Sequence, residues 1–188
     1  MYYVAASIDG YIADLEGSTS AFPVNKTTLD ELFGLYPETC PHHLREPLGV
    51  AGPSRRFDTV ILGRASHEPA LQAGLTSAYP HLRQLVVTSR DLPKDPSVEV
   101  LSGDLLARVS LLKREDGLDI WLCGGGDVAD QLLPEIDEIQ IKVNPVVLGD
   151  GIPIFRSTRR CAWNLESAKP IDGGVVLMTY TAPNPFRT

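Results

Sequence analysis

The chain has 188 residues, a formal charge of −7 at pH 7, and 43% hydrophobic and 22% charged residues. Those totals fit one globular domain with a full hydrophobic core. The acidic balance argues against a nucleic-acid partner, which normally meets a basic face.

Taken in chain order, a strand is expected over 2–8 (YYVAASI). A helix follows over 27–36, with Thr27 or Thr28 as N-cap and Leu29, Leu32 and Phe33 on one face. Residues 37–56 hold Pro37, Pro41, Pro47 and Pro53 and show no period. A segment of that length and composition suits a lid or binding loop. Strands are expected at 58–63, 84–89 and 98–102; runs such as Val60-Ile61-Leu62 and Leu85-Val86-Val87 imply cover on both faces of a sheet. A helix over 102–117 places Leu105, Val109 and Leu112 on one stripe, with Gly117 as its stop. A further strand at 119–123 leads into a short helix capped by Asp127 and cut by Pro134. The segment 138–148 alternates at its start, as a strand with one wetter face does, and a last strand covers 174–181.

Between the strand at 119–123 and its helix stand Gly124, Gly125 and Gly126. Glycine there costs backbone entropy, so a tight turn or a ligand must require bare backbone. A strand, a glycine turn and a helix start suit a phosphate, because the first helical N–H groups are unpaired and the dipole favours an anion. The spacing Gly124-x-Gly126-x-x-Ala129 fits the loose dinucleotide fingerprint. It lies late in the chain, however, and Val143-Asn144-Pro145 stands where an acidic ribose ligand would follow. Asp127 would resist a phosphate unless its side chain caps the helix. A bare structural turn remains the other reading.

The segments SIDGYIADLEG (7–17), DTVILGRASHE (58–68), VVTSR (86–90), IWLCGGGDVADQLLPEIDEIQIKVNPVVLGDGIPIF (120–155) and GGVVLMTY (173–180) occur in one order. That order resembles the dihydrofolate-reductase-like superfamily, in the branch similar to the reductase domain of riboflavin biosynthesis. The resemblance implies an α/β fold over 1–188: a mixed, mainly parallel sheet flanked by helices, with an antiparallel strand near the C-terminus. It implies NADPH across the C-terminal ends of the central strands, and a homodimer. By resemblance Gly124, Gly125, Gly126, Asp127 and Val128 form the pyrophosphate turn, often with a cis peptide that maps to Gly124–Gly125. Gly63, Arg64 and Ser66 would face the adenosine phosphate and pyrophosphate. Thr88, Ser89 and Arg90 would line the adenosine pocket, and the two arginines favour NADPH over NADH. A fixed cation beside a helix start suits a dianion in any case. The backbone around Ala5 and Ile12 would hold the nicotinamide carboxamide, with SIDGYIA as a mobile loop over the reacting face.

The activity so implied is NADPH-dependent reduction of a small pterin-, pyrimidine- or nucleotide-like heterocycle, or of a related carbonyl or imine. Hydride delivery needs oriented contact, and the heteroatom needs a proton from an acid or bound water. Asp9 and Asp30 are the candidate catalytic carboxylates. Asp9-Gly10 is equally a turn signal, and Asp30 equally a first-turn acid on its helix. Phe22 could wall the substrate site or belong to the core. A non-catalytic nucleotide-binding module or a structural homodimer of the same fold is the alternative.

Cys40, His42 and His43 invite a metal, but no second ligand cluster follows at zinc spacing, so no metal is expected. Three dispersed cysteines suit reduced thiols. The opening residues lack a basic n-region and no apolar run reaches membrane-spanning length, so a cytoplasmic protein without membrane contact is expected.

Overall fold

A computed structural model describes residues 1–156 and 160–183. Its strands are β1 (Tyr2–Ala6), β2 (Tyr11–Ala13), β3 (Phe57–Gly63), β4 (Arg83–Val87), β5 (Val98–Leu101), β6 (Asp119–Cys123), β7 (Glu138–Val143), β8 (Ile152–Pro153), β9 (Asn164–Ile171) and β10 (Val175–Thr181). Its helices are α1 (Lys26–Leu35), α2 (His42–Arg45), α3 (Arg64–Gln72), α4 (Leu105–Leu112) and α5 (Gly126–Leu132).

Eight strands form one sheet in the order β5-β4-β3-β6-β1-β7-β10-β9, and β2 pairs with β8 in a separate ribbon. From β5 to β7 every pairing is parallel; β10 then runs antiparallel to both β7 and β9. This is the mixed, mainly parallel α/β sheet implied by the sequence. Its cause is visible in β3, where Val60 and Leu62 enter one core and Ile61 the other, all essentially buried. Trp121 and Leu122 of β6 divide in the same way. One core lies under α4 and α5 through Leu105, Val109, Val128 and Leu132, and the other includes Leu32 of α1, Tyr79 and Leu82. Each fully buried aliphatic or aromatic side chain contributes about 1.5–3 kcal/mol.

Several boundaries differ from the sequence reading. Asn25, not Thr27 or Thr28, caps α1: its side chain accepts from the Thr28 N–H at 2.7 Å. The hydroxyl of Thr28 donates instead to the Asp172 carbonyl. The strand expected over 138–148 stops at Val143, because the Asn144 side chain donates to the carbonyls of Lys142 and Ala6 and turns the chain. β9 lacks an apolar pattern; its residues 164–170 are all exposed, and it is held by its ladder to β10. No described helix is long and apolar enough to cross a membrane.

The proline-rich segment is anchored rather than lid-like. It opens with a 3-10 turn, Pro37–Thr39, and the buried carboxylate of Glu38 accepts the N–H groups of Arg55, Arg56 and Phe57 at 3.2, 2.8 and 2.8 Å. The Arg45 guanidinium ties Pro37 to Gly52 through their carbonyls, and a His81 ring nitrogen meets the Glu38 carbonyl. Cys40 is buried, and no three potential metal ligands cluster among the described residues. Glu38→Ala strands three backbone donors. It should lower unfolding free energy by roughly 3 kcal/mol, at about 1 kcal/mol or more per donor. In urea this reads as a lower midpoint with an unchanged slope.

Candidate functional site

In parallel α/β sheets, ligands bind beyond the carboxyl ends of the strands where the strand order reverses. The chain here runs from β1 to β3, outward to β4 and β5, and back to β6 between β3 and β1. Two cavities open at those strand ends. One, of about 430 Å³, is lined by Ala5, Ile12, Phe22, Trp121, Gly124 and Lys142 together with the inner face of α1. The other, of about 810 Å³, is lined by Gly63, Arg64, Ser89, Arg90, Gly125 and Asp127 among others. They flank the glycine run, with Gly124 lining the first and Gly125 the second.

The three glycines serve different ends. A Cβ on Gly124 would press on Val128 and Leu122 at 3.1 and 3.2 Å, and one on Gly126 would meet the Pro153 carbonyl at 2.5 Å. Their bareness is required by the protein's own packing. A Cβ on Gly125 would meet only the tip of Ile12, at 3.9 Å, so this residue alone presents open backbone to the groove. Gly63 completes the arrangement: its missing side chain leaves room for Val128 at 3.1 Å and for the Gly125 nitrogen at 3.7 Å. Val128, 7% exposed, is thus chiefly the spacer between two bare backbones. Gly125, not Asp127, is the N-cap of α5, in extended backbone at φ −72° and ψ 174°. Asp127 lies in the first turn, its carboxylate paired with Arg156 at 3.4 Å. The Gly124–Gly125 peptide is trans, the low-energy form; no cis peptide occurs among the described residues.

In the larger groove Arg64 opens α3 and forms an ion pair with Glu68, while its Nε is buried without a partner. Arg90 and Ser89 are exposed at the end of β4, and neither side chain is bonded among the described residues. The Thr88 hydroxyl instead accepts the Arg90 N–H at 2.9 Å and shapes the turn. Ser66 lines the smaller cavity, on the next face of α3. Ala5, Ile12, Ser66 and Gly124 therefore line one cavity, and Gly63, Arg64, Thr88, Ser89, Arg90, Gly125, Asp127 and Val128 the other, while Gly126 lines neither. His67, beside Ser66 in sequence, is buried against Gln84.

The two candidate carboxylates are not in that group. Asp30 lines neither cavity and pairs with Lys26 at 2.6 Å on the outer face of α1. Asp9 accepts the N–H groups of Leu148 and Gly149 at 3.1 and 2.7 Å. The Ser7 hydroxyl, then these N–H groups, hold its carboxyl below the usual range, which makes it a poor proton donor near neutrality. Together with Ile8 N–H to the Val146 carbonyl, Asp9 stitches the 7–10 turn to 146–149 rather than leaving it as a free flap.

Lys142 was not foreseen. Its Nζ lies 3.9 Å from the centroid of the Tyr3 ring in the smaller cavity. The alternation of 138–143 carried the signal, but of the polar positions of β7 only half-buried Lys142 lines this cavity, while Glu138 and the buried Gln140 line a separate one.

This architecture is a dihydrofolate-reductase-like fold. Residues 53–177, more than half of the sequence, match the family described as the RibD C-terminal domain, and the chain belongs to that family. The uncharacterized protein YwjB of Bacillus subtilis (strain 168) is 32% identical over 181 residues, covering 93% of each chain. The uncharacterized protein YyaP of the same organism is 26% identical over 139 residues, covering 66% of this chain and 74% of its own. Among solved structures, a Shewanella sp. PV-4 protein whose name places it in riboflavin biosynthesis superposes with TM-score 0.72 at 23% identity, covering 97% of this chain and 98% of that one. Enterococcus faecalis dihydrofolate reductase, complexed with NADP(H), gives 0.67 at 17% identity, covering 97% and 95%. These last two likenesses concern the fold.

The glycine assignments separate by experiment. Gly126→Ala drives a methyl group into backbone and should destabilise by about 1–3 kcal/mol. Gly125→Ala keeps an ordinary φ and should leave stability unchanged or raise it by about 0.4–1 kcal/mol. Thermal unfolding of the two variants checks both.

Proposed function

We propose that the protein is an NADPH-dependent reductase of a small molecule. The observation that carries this reading is the pair of cavities flanking Gly124–Gly125: one holds two arginines, the other is mainly apolar and walled by α1. A dinucleotide needs that combination of a charged trough and a dry pocket.

The groove's residues fit the cofactor. The Nε of Arg64 and the Arg90 side chain, both without a partner among the described residues, supply cations for phosphate, and Gly125 presents bare backbone near Ile12. The acidic neighbours Glu68 and Asp127 are each paired with an arginine, which reduces their repulsion of an anion. Two arginines at neighbouring strand ends suit the 2′-phosphate that NADPH carries and NADH lacks. Ala5 and Ile12 bring backbone to the second cavity for the nicotinamide. When bound, the cofactor supplies hydride to an acceptor held beside it.

The protein's own part is positioning and exclusion of water. Phe22, Leu29, Leu32 and Phe33 wall the cavity opposite Trp121 and Tyr3. Such apolar walls strengthen each electrostatic contact inside.

NADPH titration should quench Trp121, which lines the cavity, and at 100 times Kd should raise stability by about 2.7 kcal/mol. Replacing Arg64 and Arg90 together with alanine should weaken NADPH on the order of 100-fold, from about 1.5 kcal/mol per charge-assisted contact, and NADH far less. Equal losses for both cofactors would contradict the 2′-phosphate role. Absence of any binding would exclude the reductase.

A further inference from the structure

Lys142 belongs to no structural ion pair. It lies on β7 with Ala5 of β1 and Leu177 of β10 as its register partners. Among the described residues its Nζ has neither hydrogen bond nor salt bridge, and it lies over the Tyr3 ring. No aspartate or glutamate lines the cavity among the described residues, so Lys142 is its sole formal charge. Several other polar groups there are engaged. Asn25 accepts from Thr28, Thr28 donates to the Asp172 carbonyl, Thr39 to the Tyr36 carbonyl, and Asn144 to Ala6 and Lys142. The amine is therefore the strongest uncommitted donor facing a ligand beside Ala5.

Resting on the reductase reading, we propose that Lys142 is the proton donor of the reaction, and that the acceptor it selects is a carbonyl compound without a basic amidine or iminium group. A lone cation favours a group that gains negative charge as it is reduced. It repels a protonated imine or an amidinium edge, and the cavity offers no carboxylate to offset that repulsion. When hydride reaches the carbonyl carbon, the C=O π pair moves to oxygen. One Nζ–H bond breaks and an O–H bond forms, with the N–H electrons remaining on nitrogen. The alcohol leaves beside a neutral amine, which regains its proton from water.

The surroundings tune this amine for the task. The titratable groups facing it are the Tyr3 phenol on β1 and the Cys123 thiol on β6, with Tyr36 and Tyr79 beyond Tyr3 and Trp121. Burial pushes the Cys123 thiol up to about 12, so it is neutral. Burial likewise brings the Lys142 ammonium down to about 8, which the Cys123 thiol only partly opposes. A general acid works best with its pKa near the operating pH.

The experiment compares wild type, K142M and K142R. NADPH affinity, read from Trp121 quenching, should agree within about threefold across all three, since Lys142 is placed to touch the acceptor and not the cofactor's phosphates. If wild type binds no NADPH, the reductase reading falls and takes this inference with it. With NADPH bound, pyruvate, 2-cyclohexenone, 4-nitrobenzaldehyde and 9,10-phenanthrenequinone are offered as carbonyl probes, with dihydrofolate as the amidine-bearing control. At least one carbonyl should turn over and dihydrofolate should not. For that carbonyl K142M and K142R should each lower kcat by roughly 100-fold or more, because a guanidinium keeps its proton. Wild-type kcat should fall as pH rises through about 8, and the residual K142R rate should lose that fall. NADPH binding with no carbonyl turnover, turnover of dihydrofolate alone, or a K142M rate within about threefold of wild type overturns the assignment while leaving the cofactor reading intact.

A substrate-free readout accompanies these. The Lys142 pKa is depressed in the folded state, so the unfolded chain binds more protons between about 8 and 10.5. Wild-type stability therefore gains from this group as pH rises through that window. K142M should be the more stable at pH 7 and lose its advantage toward pH 10.5. An unchanged difference across the window would show that the amine is not desolvated in the cavity, and would overturn the proposal.

Discussion

The fold's functional end depends on one close approach of main chain to main chain. The end of β3 at Gly63 meets the turn after β6 with only the Val128 side chain between them, 3.1 Å from the position of each absent Cβ. The bare backbone at Gly63 and Gly124 is what makes room for Val128 there. On the other side, Gly126 lies against the carbonyls of 153–154, which β8 brings in through its pairing with β2. Three separate parts of the chain thus converge on a bend a few atoms thick. The groove and the apolar pocket are the two sides of that bend.

The two sides differ in electrostatics as well as shape. The groove carries both signs of charge: Arg64 is paired with Glu68 and Asp127 with Arg156, while the Arg90 side chain has no partner among the described residues. The pocket is mainly apolar and carries one charge, Lys142, held over an aromatic face. The net charge of −7 therefore says little about either site, since both local fields are set by a handful of residues.

The α/β class and the central strands were legible because β3, β4 and β6 are apolar on both faces, a pattern only a covered sheet explains. The ends of those strands were legible too, from the order of the glycine, arginine and serine positions along the chain. What was not legible followed from ambiguous local signals. Bareness at 124–126 does not reveal that two of the three glycines answer to internal packing and one to open space. Asp9 and Asp30 carry the right chemistry in suitable segments, yet a carboxylate in a turn or a first helical turn finds backbone N–H groups or a lysine nearby. The alternation of β7 was read as water on one face; a polar face against a cavity has the same period. β9 had no pattern at all, since its order comes from a ladder and not from burial.

The segment between Glu38 and Arg55 illustrates a separation of ends from middle. Both ends are clamped to one carboxylate, while Gly49 and Gly52 lie at positive φ with no atom within 4 Å of an added Cβ. Closing a longer excursion costs little, about 0.6 kcal/mol for each doubling of its length. Sequence drift, insertion and deletion are therefore free to accumulate around 46–53 while the clamp keeps the entry to β3 in place. Related chains can differ widely in this stretch and still present the same sheet.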